Sequence, residues 1–202
     1  MFKGTSIKDS IHDYDEEYRK GAHWDVEEPS SNIYEFVELI KGSKRVLDAG
    51  CGTGRDAIFL AKQGFKVAGV DSSSVAIKLA KKKGVELSNL GFVVGRIEDL
   101  AFPNSTFDAA YSGYVLGGRT LPKQAQELSR VLKSNRVLYV AMFTRTKYDK
   151  PNERDEANPL PFVFESFGKW FDVKKRLQDS YVEEDDQGRH VHERLRLILR
   201  KI

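Results

Sequence analysis

The sequence predicts an α/β protein with a doubly wound, mostly parallel sheet, and three observations carry that expectation. Apolar periodicity alternates in regular order between helical spacing and short strand-like runs. The first such run breaks at a three-glycine turn, Gly50-Cys51-Gly52-Thr53-Gly54, directly before a helical segment. The C-terminal part changes character, with two apolar runs flanking the acidic stretch Glu183 to Gly188 and no helix between them. At 202 residues the chain is expected to form one domain, residues 1–202.

Taken in order, Ser31 to Lys41 places Ile33, Phe36, Val37 and Ile40 on one helical face, after Pro29 and a serine suited to capping. Lys44 to Asp48 is a short apolar run stopped by Ala49-Gly50. Arg55 to Gln63 resumes helical spacing through Ile58, Leu60 and Ala61 and ends at Gly64, which suits the position after a helix. Phe65 to Val70 reads as a strand and Ser74 to Lys83 as a helix closed by Gly84. Phe92 to Val94 and Phe107 to Ser112 read as strands, about Pro122 to Leu132 as a helix, and Arg136 to Phe143 as a long strand. Strands separated by helices at this pace imply right-handed crossovers with helices on both faces. Phe171 to Gln178 and Val191 to Leu199 then form an antiparallel hairpin that finishes the sheet. Met1 to Glu28 and Thr144 to Pro161 fit neither pattern; we expect an N-terminal cap segment and a lid loop that cover a ligand.

Composition narrows the function classes. Hydrophobic residues make up 40%, and 33 Lys+Arg against 30 Asp+Glu leave a net charge of +3. Extensive disorder is excluded, and so small an excess argues against nucleic acid as a partner. There is no apolar run of membrane-spanning length and no signal-like N-terminus, so no membrane association is expected. The single cysteine, Cys51, allows neither an internal disulfide nor a thiolate metal cluster, which suits a reducing, cytoplasmic setting.

Glycines without a Cβ let a chain turn sharply and a ligand lie against bare backbone, which Gly50 and Gly52 are expected to do. Gly54 is expected to let the next helix start close to its strand. A dinucleotide site would also have a glycine turn and an acidic residue about 20 residues on, here Asp71. Its G-x-G-x-x-G spacing is not met, because Arg55 stands where the third glycine belongs. Asp48 would repel a pyrophosphate, whereas a carboxylate there suits a ligand bearing an ammonium group.

The segments Val46-Leu47-Asp48-Ala49-Gly50-Cys51-Gly52-Thr53-Gly54 and Val67-Ala68-Gly69-Val70-Asp71-Ser72-Ser73 resemble the class I S-adenosylmethionine-dependent methyltransferases, in particular their small-molecule type. So do Glu98-Asp99-Leu100-Ala101-Phe102-Pro103 with Thr106 to Ser112, and Glu127-Leu128-Ser129-Arg130-Val131-Leu132-Lys133. The resemblance covers about residues 40–143. It implies a Rossmann-like seven-stranded sheet of order 3-2-1-4-5-7-6 with strand 7 antiparallel, S-adenosylmethionine as cofactor, and methyl transfer to an acceptor. It further implies that Asp48 and the Gly50, Cys51, Gly52 and Gly54 backbone lie near the methionyl moiety, Asp71 on the ribose hydroxyls and Ser72 beside the adenine. Relatives often carry an acid where Arg96 stands here; Ile97 is then expected to offer its backbone N–H to the ring and Glu98 to replace the carboxylate. The Asn-Pro-Pro-aromatic motif common among enzymes that methylate base amines is absent at Ser112-Gly113-Tyr114, and a small-molecule acceptor is expected. A dinucleotide-dependent oxidoreductase and an RNA or protein methyltransferase are the alternatives.

Other residues read more plainly. Cys51 sits where a small residue is needed and has no neighbouring base in sequence, so catalysis is not assigned to it. His190 and His192 share one face of a strand, yet no acidic or thiol partner with metal spacing accompanies them, and no metal is expected. Asp108 is expected to be structural. Tyr14, Tyr18 and Trp24 are either core staples or walls of an acceptor pocket. Tyr14, His23 and His190 are the candidate bases if the acceptor must lose a proton.

Overall fold

The computed structural model describes residues 14–148, 156–185 and 188–202. Its elements in chain order are α1 (Tyr14–Lys20), α2 (Ser31–Leu39), β1 (Arg45–Ala49), α3 (Arg55–Lys62), β2 (Lys66–Asp71), α4 (Ser74–Lys83), β3 (Leu90–Val94) and β4 (Phe107–Gly113). A short 3-10 turn (Gly118–Thr120) leads into α5 (Leu121–Val131), followed by β5 (Leu132–Tyr148), β6 (Glu156–Ala157), α6 (Leu160–Gly168), β7 (Phe171–Asp185) and β8 (Gly188–Lys201).

One sheet runs β3-β2-β1-β4-β5-β8-β7, with the two-residue β6 appended to β5. Counting the seven main strands, this is the expected order 3-2-1-4-5-7-6. The first five are parallel, and the last-formed strand β8 lies antiparallel between β5 and β7. The sheet is buried on both sides. One cluster joins Leu47, Ala110, Leu138, Val140 and Leu197 to Leu128 of α5 and Phe167 of α6. The other joins Val46, Ala109, Tyr111 and Tyr139 to Phe36 of α2, Leu60 of α3 and Ile77 of α4. Alternate residues of each strand feed opposite clusters, as the period of two requires.

Local chemistry starts the helices where the sequence says they should start. Ser30 caps α2 by accepting from the Asn32 N–H, and Ser73 caps α4 by accepting from the Ala76 N–H at 3.0 Å. Lys81, Lys82 and Lys83 close α4 in the turn where the helix dipole favours cations.

Two expectations need correction. The segment Thr144 to Pro161 is not a free lid: β5 continues to Tyr148, Glu156–Ala157 pairs back onto it, and α6 has begun by Leu160. Pro161 sits in the first turn of α6, where its missing N–H costs nothing, and Val163 and Phe167 anchor that helix in the core. The remaining residues, 149–155, lie outside the described residues. The closing hairpin is longer than its apolar runs, with β7 reaching Asp185 and β8 starting at Gly188, because ladder hydrogen bonds continue through the acidic stretch. Within the N-terminal segment, residues 1–13 lie outside the described residues, while Tyr14–Lys20 is a helix.

Candidate cofactor site

β1 ends at the glycine turn. The Gly50 and Cys51 amides both donate to the Val70 carbonyl, at 2.7 and 3.0 Å, which swings the chain towards the end of β2. The three glycines do different work. Gly54 has φ +86° as the cap of α3, and a Cβ there would stand 2.6 Å from the Phe92 ring and 3.0 Å from Ala80, so this glycine sets helix-to-sheet packing as expected. Gly50, at φ +83°, backs onto the Val115 side chain in the loop after β4, which leaves no room for a Cβ there. Gly52, at φ +53°, faces the Tyr18 hydroxyl.

Carboxylates surround the turn. Asp48 is 2% exposed, and its Oδ2 has no hydrogen-bond partner among the described residues. Burial first, and the neighbouring Asp56 and Asp71 charges next, push its carboxyl well above the usual range. Asp71 ends β2; its Oδ2 accepts from the Gly52 N–H and its Oδ1 from the Ser73 N–H, each at 2.9 Å. Burial raises its pKa as well, against those two bonds. Asp56, in the first turn of α3, accepts from the Ser30 N–H at 2.8 Å and from Arg55 Nε at 3.3 Å. The Cys51 thiol is buried and its pKa is pushed well up, chiefly by that burial and then by Asp48, so it is no nucleophile.

The N-terminal segment closes on the turn from above. Asp15 accepts from the Ser73 and Ser74 hydroxyls at 2.6 and 2.9 Å and from the Val75 N–H at 3.2 Å, at the start of α4. Asp25 bonds the Thr53 hydroxyl and pairs with Lys83 at 3.7 Å, while Lys83 Nζ donates to that same hydroxyl at 2.7 Å. The Trp24 indole donates to the Tyr18 oxygen at 3.4 Å, and the two rings meet edge to face at 6.2 Å. Tyr18 is thus a wall of the glycine-turn site, and Tyr14, 48% exposed, is not a core staple. Asp15 and Asp25 carry no periodicity or motif that marks them in sequence; only tertiary docking brings them to the turn.

The loop after β3 meets Asp71 through a hydrogen bond from the Gly95 N–H to the Asp71 carbonyl, at 2.9 Å. Ile97 is buried, Ser72 is exposed, and the Glu98 carboxylate accepts from Arg96 Nε at 2.7 Å. That ion pair joins Arg96, which departs from the relatives' pattern, to the carboxylate expected to replace the missing acid. Asp108 is structural: it accepts from the Lys44 and Arg45 amides and from Lys133 Nζ, and these hold its pKa down at about 2 despite burial. His192 is sandwiched between Phe143 and Tyr181, and no metal-binding cluster occurs among the described residues. No described helix is long and apolar enough to cross a membrane.

A parallel sheet that reverses direction beside a glycine turn, with a carboxylate ending the next strand, defines a nucleoside-binding α/β protein. Residues 46–135 match the family model described as a methyltransferase domain. The chain is 33% identical over 132 residues to the 2-phytyl-1,4-naphtoquinone methyltransferase of Nostoc, covering 62% of this chain and 52% of that protein. It is 37% identical over 78 residues to the 2-heptyl-1-hydroxyquinolin-4(1H)-one methyltransferase of Mycobacteroides abscessus, covering 38% and 34%. The chain therefore spans about a third to a half of the length of these curated relatives. In fold it is similar to a SAM-dependent methyltransferase from Methanosarcina mazei, with TM-score 0.69, 20% identity, and coverage of 87% of this chain and 99% of that one. It is similar also to geranyl diphosphate C-methyltransferase from Streptomyces coelicolor, with TM-score 0.68, 13% identity, and coverage of 85% and 78%. Together these similarities support a class I S-adenosylmethionine-dependent methyltransferase.

The cofactor of this family, S-adenosylmethionine, fits the residues present. A buried carboxylate oxygen at Asp48 has no partner among the described residues and would suit a cation or a donor, and beside it the glycine turn presents Gly52, where no side chain could be placed.

Proposed function

We propose that this chain transfers a methyl group from S-adenosylmethionine to a small-molecule acceptor. The observation that carries the reading is Asp48 Oδ2, which has no hydrogen-bond partner among the described residues, since a buried carboxylate oxygen left unpaired is costly unless a ligand completes it. On this reading Asp48 and the Gly50, Cys51, Gly52 and Gly54 backbone hold the methionyl end, and Asp71 accepts from the ribose hydroxyls. Ser72, the Ile97 N–H and Glu98 line the adenine, with Arg96 holding the Glu98 carboxylate in place.

When bound, the sulfonium supplies an activated methyl and a good leaving group. The protein's work is then alignment and exclusion of water. Tyr18 and Trp24 shield the turn, and Asp15 and Asp25 fasten their segment to α4 and to Thr53 of the turn. No general base is assigned. Relatives named for a naphthoquinone and a quinolone act on small rings, which supports a small-molecule acceptor over RNA or protein. The lone buried thiol suits a cytoplasmic setting.

Titration calorimetry with S-adenosylmethionine, S-adenosylhomocysteine and NAD tests the cofactor, and a metabolite library read out by S-adenosylhomocysteine release tests the acceptor class. Binding of NAD without S-adenosylmethionine would favour the oxidoreductase alternative. Asp71→Ala is expected to weaken S-adenosylhomocysteine binding by about 1–3 kcal/mol, because a partly buried carboxylate makes charge-assisted bonds to hydroxyls. Unchanged affinity would remove Asp71 from the ribose.

A further inference from the structure

Four aromatic rings stand in a row across four adjacent strands on the α2 face of the sheet. Tyr114, directly after β4, meets Phe143 of β5 at 4.8 Å between centroids; Phe143 meets His192 of β8 at 4.6 Å; His192 meets Tyr181 of β7 at 4.9 Å. Interplanar angles of 32°, 32° and 28° make this a row of gently tilted rings that ends in a stacked pair, His192 on Tyr181. Its step equals the spacing between neighbouring strands, about 4.8 Å. The strands that carry it, β5, β7 and β8, are 17, 15 and 14 residues long against 5 to 7 for β1 to β4, so most of the row rides on a ribbon that outruns the central sheet. Phe143 and Tyr181 are half-buried and belong to neither core cluster.

Arg194 of β8 runs beside the row: its guanidinium lies 4.6 Å over the Tyr181 ring, is held by Asp179 at 2.8 and 3.0 Å, and also bonds Tyr114. The inner end points along the sheet towards the next strand in order, β1, whose carboxyl end is the glycine turn. Tyr114 is fixed at that end in a left-handed conformation, φ +60°, which a bulky residue adopts only under tertiary constraint. Its N–H donates to the Ala141 carbonyl at 2.7 Å, its hydroxyl accepts from Asn32 Nδ2 at 3.3 Å, and the following residue, Val115, packs against Gly50. A prearranged stack that ends one strand away from the methyl donor's turn selects for a ligand of the same shape.

We propose that the acceptor is a flat aromatic compound whose ring stacks on Tyr114 as the next rung of the row, between Tyr114 and the glycine turn. The proposal rests on the methyltransferase reading and names the substrate class for that site. Tyr114 is the contact residue, and Phe143 is a positioning residue that holds its ring.

The test uses the full chain saturated with S-adenosylhomocysteine and two probes of one skeleton, planar 2-naphthol and puckered decahydro-2-naphthol, measured by equilibrium dialysis. We expect 2-naphthol to bind about tenfold tighter, the size of one good ring stack. Tyr114→Leu should abolish that preference and Tyr114→Phe retain it, which separates the ring from the hydroxyl. Phe143→Leu should reduce the preference with S-adenosylhomocysteine affinity within about twofold of wild type, which reports an intact fold should Tyr114→Leu not fold. Equal binding of the two probes, or a preference unchanged by Phe143→Leu, overturns the proposal while leaving the cofactor reading in place. Failure of the unmodified chain to bind S-adenosylhomocysteine overturns both.

Discussion

The Tyr18 hydroxyl stands 2.7 Å from the point a Cβ on Gly52 would occupy. A side chain at position 52 therefore collides with the N-terminal segment, besides straining a backbone at φ +53°. Gly52→Val is expected to lower S-adenosylhomocysteine affinity at least about tenfold and to lower the melting temperature. Adding Tyr18→Ala should restore part of the stability and none of the affinity. Calorimetry and thermal melts of the two proteins decide it, and full affinity in the single variant would contradict the glycine-turn site.

Asp48 provides a pH signature. Its carboxyl is raised by burial above its ordinary 3.8, so the free chain loses stability as pH climbs from 3.8 through the elevated value, where only the unfolded carboxyl is ionised. A ligand that brings a positive charge beside it favours the ionised form, so binding should release a proton and tighten as pH rises, then level off. Calorimetry in buffers of different ionisation enthalpy measures that proton, and Asp48→Asn should abolish it. Proton uptake instead of release would show that Asp48 does not meet the ligand's cation.

Asp108 works in the opposite sense. Held at about 2 by Lys133 and two backbone amides, it stabilises the fold at pH values above 3.8, and that contribution disappears as pH falls from 3.8 to about 2. Asp108→Asn should cost about 2 kcal/mol at neutral pH and nearly nothing near pH 2. Urea unfolding across that range checks the convergence of the two proteins.

The contact of Asp15 with the start of α4 predicts how the N-terminal segment responds to ligand. Hydrogen exchange over α1 should slow when S-adenosylhomocysteine binds, and the Val75 amide should exchange faster in Asp15→Ala, which removes its acceptor. Exchange that is the same with and without ligand would make the segment a fixed part of the fold.

Much of the architecture was legible in the chain because it depends on local rules. The glycine turn, the serine caps before α2 and α4, and the alternation of strand and helix all act within a few residues, and they were enough for a doubly wound parallel scaffold with a glycine turn after its first strand. The closing antiparallel hairpin was read from its two apolar runs, and the resemblance supplied the strand order 3-2-1-4-5-7-6, which spacing alone leaves open. The lengths of β5, β7 and β8 were not legible, since ladder pairing through charged residues such as Arg194 and Glu193 carries no apolar alternation. Nor was the division of labour among the glycines, which depends on Val115, Phe92 and Tyr18 arriving from distant segments. Sequence determines what a residue offers locally: a turn without a Cβ, a cap, an apolar face. Only the folded sheet decides what stands opposite it, and here that decided which carboxylate oxygen lacks a partner among the described residues and which four rings line up along the sheet.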